Sequence, residues 1–505
     1  MPAHADRTDR ESLSQVIFAP APLPPGGDPL APYVPSAAKP WNARRVAHLY
    51  RRLGFGANLD DIQQGLALGP SALIDKLLDE AAGLAVPAPP FWAGYTLQDY
   101  DGNQALIEEH RNEVRDRWFA DMIGEGVRAK MALFWHNHFV TELNVYQCNA
   151  YLWSYYSMLH EYAFGNFRVF AREMGKNPAM LSYLNGNLNV VGQPNENYAR
   201  ELMELFTMGE SNGYTQADIV EMSRALTGWQ AQNYLCTPAY YDPALHDNGD
   251  KTIFGKTSNY GFTTAHNLVF AERAEQVSKF ITGKLYKHFV YQFLDAQVID
   301  GLATTFRDSN WELMPVLKQL LKSEHFFDEA YINARIKTPI ESMVPIFKAV
   351  KSTFPGDVEP DWIGAFFYWT LQLGQDVLNP VNVAGWPGYH KWINESTLTA
   401  RWSFSSVFAL WAGAKEPTRE NLRALAIGLT NESNKPEVIV PALVEFFMGQ
   451  TLDPVHLQAA IVYFKANIPE NYFADGSWNL YWNEAPYQIV NMLYYLVRLP
   501  EFQLT

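Results

Sequence analysis

Apolar residues recur every three to four positions along most of this chain, which is the spacing of one buried face of an α-helix. The first such pattern begins near Trp41 and stops at the Gly54-Phe55-Gly56 turn, and a second covers about 60–80. Further helical patterns cover about 102–230, 270–350, 358–375 and 415–505. The sequence therefore predicts a mainly α fold, a large multi-helix body with long loops and extra C-terminal helices.

Three segments interrupt the helical pattern. Residues 1–40 are rich in proline, alanine and glycine and predict an extended N-terminal arm. Residues 231–268 carry turn-forming residues and predict one small β-hairpin, whereas 376–402 form a loop rich in proline, glycine and tryptophan. We divide the chain into the arm at 1–40, a helical core at 41–410 that carries the candidate site, and a C-terminal helical extension at 411–505.

Composition excludes several classes of function. The formal net charge of −15 argues against binding to nucleic acid or to anionic lipid, since both need clustered cations. The sequence contains no apolar run as long as the roughly 18 residues of a membrane span. With only Cys148 and Cys236 present, a cysteine-based zinc site is excluded, and whether the two form a bridge stays open. A signal peptide is not apparent before residue 40, which predicts a cytoplasmic protein.

The most informative segment for function is the predicted helix over 194–206. Its apolar residues form one stripe, at Tyr198, Leu202, Leu205 and Phe206. Its polar residues form two rows beside that stripe, with Glu196, Arg200 and Glu204 in one and Asn197 and Glu201 in the other. Asn195 as an N-cap and an Arg200–Glu204 ion pair explain part of this pattern structurally. The alternative is a site for a hard divalent cation, with Glu201 and Asn197 as ligands.

Two other clusters carry residue types that are common in active sites. His136 and His138 are two positions apart, so they share one ion only if the helix ends there. The segment from His246 to Lys251 places an imidazole, the Asp247 carboxylate and an ammonium within six positions, between residues that favour tight turns. Structural histidines and hairpin turn chemistry are the plainer explanations of these two clusters. Trp386, in the proline-rich loop, is expected to pack into the helical body.

Taken together, the motifs are similar to those of one bacterial family. Six segments occur in order: Arg51-Arg52-Leu53-Gly54-Phe55-Gly56, Phe134-Trp135-His136-Asn137-His138-Phe139, Asn195-Glu196-Asn197-Tyr198-Ala199-Arg200-Glu201-Leu202, Arg224-Ala225-Leu226-Thr227-Gly228-Trp229, His246-Asp247-Asn248-Gly249-Asp250-Lys251-Thr252 and Ala384-Gly385-Trp386-Pro387. The chain resembles the family called domain of unknown function 1800 over about residues 41–405. Asp250 departs from the family pattern, in which a proline is frequent at that position.

The resemblance implies a large bacterial α-helical protein from a family whose members are often exported. It also implies a partner, because such proteins are commonly encoded beside members of domain of unknown function 1501, which are similar to alkaline phosphatases and sulfatases. Export together with that partner is the alternative to a cytoplasmic location. The resemblance brings no activity with it.

We therefore expect an enzyme with a polar pocket inside the helical body, where the helices bearing the two histidines and the Asn197/Glu201 row meet. A divalent metal ion of unknown identity would be held by His136, His138, Asn197 and Glu201. The catalytic candidates, which would move protons or stabilise negative charge, are Glu196, Arg200, His246, Asp247 and Lys251. Hydrolysis or group transfer on an extracellular polymer or on a phosphorylated or sulfated compound is the expected chemistry.

Two alternatives to an enzyme remain. The first is a non-catalytic scaffold, or an export or assembly partner of the phosphatase- or sulfatase-like protein, in which the polar cluster fixes helix register. The second is a carbohydrate- or ligand-binding protein.

Overall fold

Helices make up most of the molecule, as the apolar spacing predicts. The computed structural model describes residues 27–354 and 356–505, so residues 1–26 of the predicted N-terminal arm lie outside the described residues. Over the described residues the chain forms 23 α-helices and two small antiparallel sheets of two strands each. The mainly α prediction is confirmed.

Nine α-helices come first in the described part of the chain. Helices α1 to α9 are Ala43–Leu53, Leu59–Leu68, Pro70–Ala82, Gln104–Gly124, Val127–His138, Leu143–Tyr146, Asn149–Glu161, Phe167–Met174 and Pro178–Tyr183. Helix α10, Asn197–Glu201, continues directly into a π-helix, Leu202–Met208, and is followed by α11, Gln216–Ala225. The strands β1 to β4 are Trp229–Gln230, Tyr240–Tyr241, Lys251–Ile253 and Lys256–Ser258.

The remaining helices complete the chain. Helices α12 to α23 are Phe262–Glu272, Ala274–Phe289, Ala296–Asp308, Leu313–Leu321, Pro339–Ala349, Pro360–Gln372, Glu395–Ala414, Glu416–Thr430, Pro436–Met448, Pro454–Lys465, Glu470–Ala474 and Ala485–Leu496. Short 3₁₀ segments cover Leu97–Tyr100, Gly186–Leu188, Pro243–Leu245, Tyr389–Trp392 and Pro500–Gln503.

Local sequence explains where several helices begin and end. The side chain of Asn42 accepts a hydrogen bond from the backbone N–H of Arg45 at 3.1 Å and so caps α1, which ends at Gly54. The single helix expected over 60–80 is instead two helices, α2 and α3. Gly69 has a φ of +78°, which ends α2, and Pro70 then opens α3 because its fixed φ suits the first helical position.

The predicted hairpin is present as β3 and β4. Lys251 pairs with Ser258 and Ile253 with Lys256, so the turn is Phe254-Gly255, in which both residues have positive φ. A two-residue turn of this conformation matches the twist of antiparallel strands. The second ribbon, in which Trp229 pairs with Tyr241, is not indicated by the sequence pattern.

One apolar core runs from the first helices to the last. Within it α5 packs against α4 and α7, the π-helix against α13, and α16 against α18. A disulfide joins Cys148, just before α7, to Cys236, in the loop before β2, across 88 positions of sequence. In the two described stretches, every helix is too short or too polar to cross a bilayer.

Candidate functional site

A cavity of about 280 Å³ lies between α5, α13, the start of α16 and the loop over 384–392. The described residues that line it are rich in cationic and aromatic side chains. The polar lining residues are Lys130, Asn137, His138, Lys284, Lys287, His288, Gln292, Arg335, Thr338, Glu341, Gln375, Tyr389 and Trp392. Apolar walls are supplied by Leu133, Phe134, Ile336 and Trp386.

Positive charge dominates this cavity. Among the described lining residues, four lysine and arginine side chains face a single carboxylate, that of Glu341. Both Lys130 and Arg335 donate hydrogen bonds to Glu341 Oε1, and the backbone N–H of Thr338 donates to Oε2 at 2.8 Å. Burial alone would raise the pKa of Glu341, but the two cations hold it well below its usual value. Lys284 and Lys287 are left without a carboxylate partner among the described lining residues.

Lys284 and His138 form a hydrogen-bonded pair on the cavity wall. The Lys284 ammonium donates to His138 Nδ1 at 3.0 Å and to the Leu205 carbonyl at 3.2 Å, and His138 Nε2 donates to the Phe206 carbonyl at 3.0 Å. The two carbonyls belong to the end of the π-helix, where backbone oxygens lack partners within the helix. These bonds fix His138 as the neutral tautomer that carries its proton on Nε2.

Burial tunes both members of this pair. Burial, with the charge of the nearby Lys287 adding to it, lowers the pKa of Lys284 to about 8. Burial, with the Lys284 charge beside it, also holds the pKa of His138 well below its usual value. Lys284 therefore changes protonation near neutral pH, while His138 stays neutral.

The loop that closes the cavity is clamped by Asn137. The Asn137 side-chain oxygen accepts a hydrogen bond from the backbone N–H of Trp386 at 2.6 Å. Gly385 has a φ of +84° and packs so closely on Asn137 that a Cβ there would lie 2.3 Å from its Oδ1. Trp386 is buried, as expected, with its ring centre 5.4 Å from that of His136.

Of the predicted site residues, only His138 is part of the described lining. His136 is buried behind the wall, where Nδ1 lies 2.7 Å from the Tyr155 hydroxyl and Nε2 donates to the Val377 carbonyl. Burial lowers the pKa of His136 to about 4. All four ring nitrogens of the two histidines thus have protein partners, so an ion bound by the predicted set would have to displace those hydrogen bonds.

The residues predicted from the helix over 194–206 lie outside the described lining. Arg200 pairs with Glu196 at 2.8 Å, not with Glu204, and also donates to Gln216 at 2.9 Å. Asn197 is exposed, and its backbone N–H is capped by Asn195 as expected. Contacts of this kind are typical of a helix N-terminus that is exposed to solvent.

Glu201 is different from its neighbours. It is half-buried, and its Oε2 has no hydrogen-bond partner among the described residues. Burial, with Glu204 close by, raises the pKa of Glu201 to about 6.

The third predicted cluster forms a separate network around β3. His246 Nδ1 lies 3.1 Å from the Thr227 hydroxyl, and Asp247 accepts from Arg224 at 2.8 Å. Lys251 donates to the Asp247 carbonyl and, at 3.2 Å, to Asn259 Oδ1. The structure brings these residues together with one another but not with the cavity.

The sequence reasoning missed most of the cationic lining. Lys130, Lys284 and Arg335 come from three distant segments, and each reads as an ordinary surface cation in its own helix or loop. One signal was available: Thr338 with Glu341 three positions later is a capping-box pattern, which places a carboxylate at a helix start.

Comparison with known sequences identifies the family. A profile of the family described as "Protein of unknown function (DUF1800)" matches residues 48–504, nearly the whole chain. The chain belongs to the DUF1800 family. The matched region of this DUF1800 protein includes all of the described residues that line the cavity, and it includes the last helices. No curated protein and no solved structure matches the chain.

Proposed function

We propose that this protein is an enzyme that binds a small anionic compound in the cavity and catalyses hydrolysis or group transfer on a phosphorylated or sulfated group. The observation that carries the proposal is the excess of positive charge on the lining. Lys284 is only partly exposed and Lys287 is exposed, and neither has a carboxylate partner among the described lining residues. Burying the Lys284 ammonium without a counter-ion is unfavourable, and an anionic ligand beside it would reduce that cost.

Aromatic walls support a ligand that carries a ring next to its anionic group. Phe134, Trp386, Tyr389 and Trp392 line the cavity beside the cations. Flat aromatic faces pack well against sugar or other cyclic groups, and a few placed polar groups then fix orientation. The volume of about 280 Å³ suits one monosaccharide-sized unit.

The Lys284–His138 pair supplies the chemistry in this proposal. A lysine with a pKa of about 8 is able to donate a proton to a leaving group near neutral pH. In its charged form it stabilises negative charge that develops on the transferred group. His138, held by the Phe206 carbonyl, positions the ammonium through Nδ1.

The disulfide supports a location outside the cytoplasm. Cys148 and Cys236 are both buried and bonded, and such bonds persist mainly in oxidising compartments. Alkylation of the native protein, followed by mass measurement with and without reduction, tests the bond. Free thiols in protein taken from its own cells would contradict this location.

Binding of inorganic phosphate and sulfate, measured by calorimetry, tests the proposed site. We expect Lys284→Met to weaken anion binding at least tenfold, whereas Lys279→Met leaves it unchanged. Lys279 is the matched control because it lies on the same helix α13 but is exposed and paired with Glu275 and Asp300. Hydrolysis of p-nitrophenyl phosphate and p-nitrophenyl sulfate then tests catalysis. Equal anion binding by both variants would refute the site.

A further inference from the structure

A second group of chemically capable side chains lies where α4 meets α7, apart from the cavity. Asp121 and Glu125 are four positions apart at the end of α4 and project from the same side of the chain. His160 lies in the last turn of α7, with Nε2 3.6 Å from Asp121 Oδ2 and Nδ1 3.8 Å from Glu125 Oε2. One ligand atom from each of the three residues lies within 4.8 Å of the others.

His160 is the unusual member of this group. Its side chain is 0% exposed, and both ring nitrogens lack a hydrogen-bond partner among the described residues. A buried polar ring with neither nitrogen satisfied is costly, and native structures seldom leave such a group without a partner. The two nitrogens point at carboxylates that are too far away for hydrogen bonds but well placed for an atom between them.

The carboxylates are held in place and are reachable from solvent. The Tyr156 hydroxyl donates to Asp121, and Arg128 Nε donates to Glu125 Oε2 at 2.7 Å. Their side chains remain 17% and 22% exposed, which leaves a path for a small ion. Hydrogen bonds of this kind orient the ligands in many metal sites.

We propose that Asp121, Glu125 and His160 bind one divalent transition-metal ion, with Zn²⁺ the best match. One imidazole and two carboxylates suit Zn²⁺, whose bonds of about 2.0–2.2 Å place tetrahedral ligands about 3.3–3.6 Å apart. Only one ring nitrogen binds the ion, and its separation from the nearer carboxylate, 3.6 Å for Nε2 to Asp121 Oδ2 or 3.8 Å for Nδ1 to Glu125 Oε2, needs only a small contraction. The third ligand atom, within 4.8 Å of the other two, has farther to move. One His160 nitrogen binds the ion, and the other donates its proton to a carboxylate.

A bound cation would offset the cost of holding two neighbouring, partly buried carboxylates beside His160. The ion would also join α4 to α7, which gives the site a structural role that does not depend on the proposed activity.

Zinc binding to the full chain, after treatment with chelator, tests the proposal. We expect one equivalent of Zn²⁺ to bind in calorimetry and to raise the melting temperature. His160→Ala should weaken binding at least a hundredfold. Asp121→Asn, which keeps the shape of the side chain, should do the same and decides the matter if His160→Ala fails to fold.

The control is a second cluster of the same composition. Asp453, His456 and Glu501 also lie within 4.8 Å of one another, but His456 Nδ1 is already bonded to Asp453, and the side chains of His456 and Asp453 are 43% and 47% exposed. His456→Ala should therefore leave the zinc affinity of the Asp121/Glu125/His160 site unchanged. The proposal is overturned if the wild-type chain binds no zinc, or if binding survives Asp121→Asn or His160→Ala, or if it is lost in His456→Ala alone.

Discussion

Replacement of Gly385 by alanine is the sharpest test of how the cavity loop is held. Gly385 has a φ of +84°, a conformation that costs an L-residue about 1–2 kcal/mol. The new Cβ would also lie 2.3 Å from Asn137 Oδ1 and 2.6 Å from the Asn137 backbone oxygen. Overpacking of this kind costs about 1–3 kcal/mol, because one contact is with backbone and cannot rotate away. We therefore expect Gly385→Ala to destabilise the protein by about 2–5 kcal/mol.

Gly388 provides the matched control within the same loop. Its φ is +66°, but nothing lies within 4 Å of the position of its Cβ, so Gly388→Ala carries the backbone strain without the clash. Scanning calorimetry measures the difference. For a chain of 505 residues, about 1 kcal/mol corresponds to about 1 °C in melting temperature. We expect a loss of about 1–2 °C for Gly388→Ala and about 2–5 °C for Gly385→Ala.

The double variant separates the two contacts. Asn137→Ala removes the amide oxygen but keeps the backbone carbonyl, so Gly385→Ala combined with Asn137→Ala should show a favourable coupling without full recovery. Equal melting temperatures for Gly385→Ala and Gly388→Ala would refute the close packing of Asn137 on the loop.

Three further predictions concern buried charge and the disulfide. Glu341→Gln should lower stability by about 3–5 kcal/mol, because it leaves a buried lysine and arginine without their carboxylate; urea unfolding measures it. Replacing both Cys148 and Cys236 by serine should cost about 2–5 kcal/mol, since the bond closes a loop of 88 positions; calorimetry measures it. Asp121→Asn should stabilise the metal-free protein at pH 8 but not at pH 4, as melting curves in chelator will show. Folding raises the pKa of Asp121 to about 7, so the protonated carboxyl favours the folded state at low pH. That contribution to the free energy of unfolding is lost as pH rises towards about 7.

Each of these has a clear contrary outcome. Wild-type stability in Glu341→Gln would mean that the buried ion pairs contribute nothing. An unchanged melting temperature in the serine variant would mean that the two cysteines are not bonded in the folded protein. A stabilisation by Asp121→Asn that is the same at pH 4 and pH 8 would show that the carboxylate titrates normally.

The sequence alone determined the class of fold and much of its local structure. Apolar spacing predicts helices because only one face of each can be buried, and Thr215 with Asp218 three positions later is a capping pair that opens α11. The local sequence Gly69-Pro70 also marks the break between α2 and α3, although the apolar pattern continues across it. The order of motifs predicts the DUF1800 family, which the match over residues 48–504 confirms.

Only the tertiary structure decided which polar groups meet. Glu196 and Arg200 form a local ion pair, whereas Lys130, Lys284 and Glu341 converge on the cavity from segments far apart in sequence. Helical periodicity tells which face of each helix is buried but not which helix packs against it. The lowered pKa of Lys284 and the lack of hydrogen-bond partners for the His160 ring nitrogens among the described residues both result from burial among distant segments. Burial of that kind cannot be predicted from neighbouring residues in the sequence.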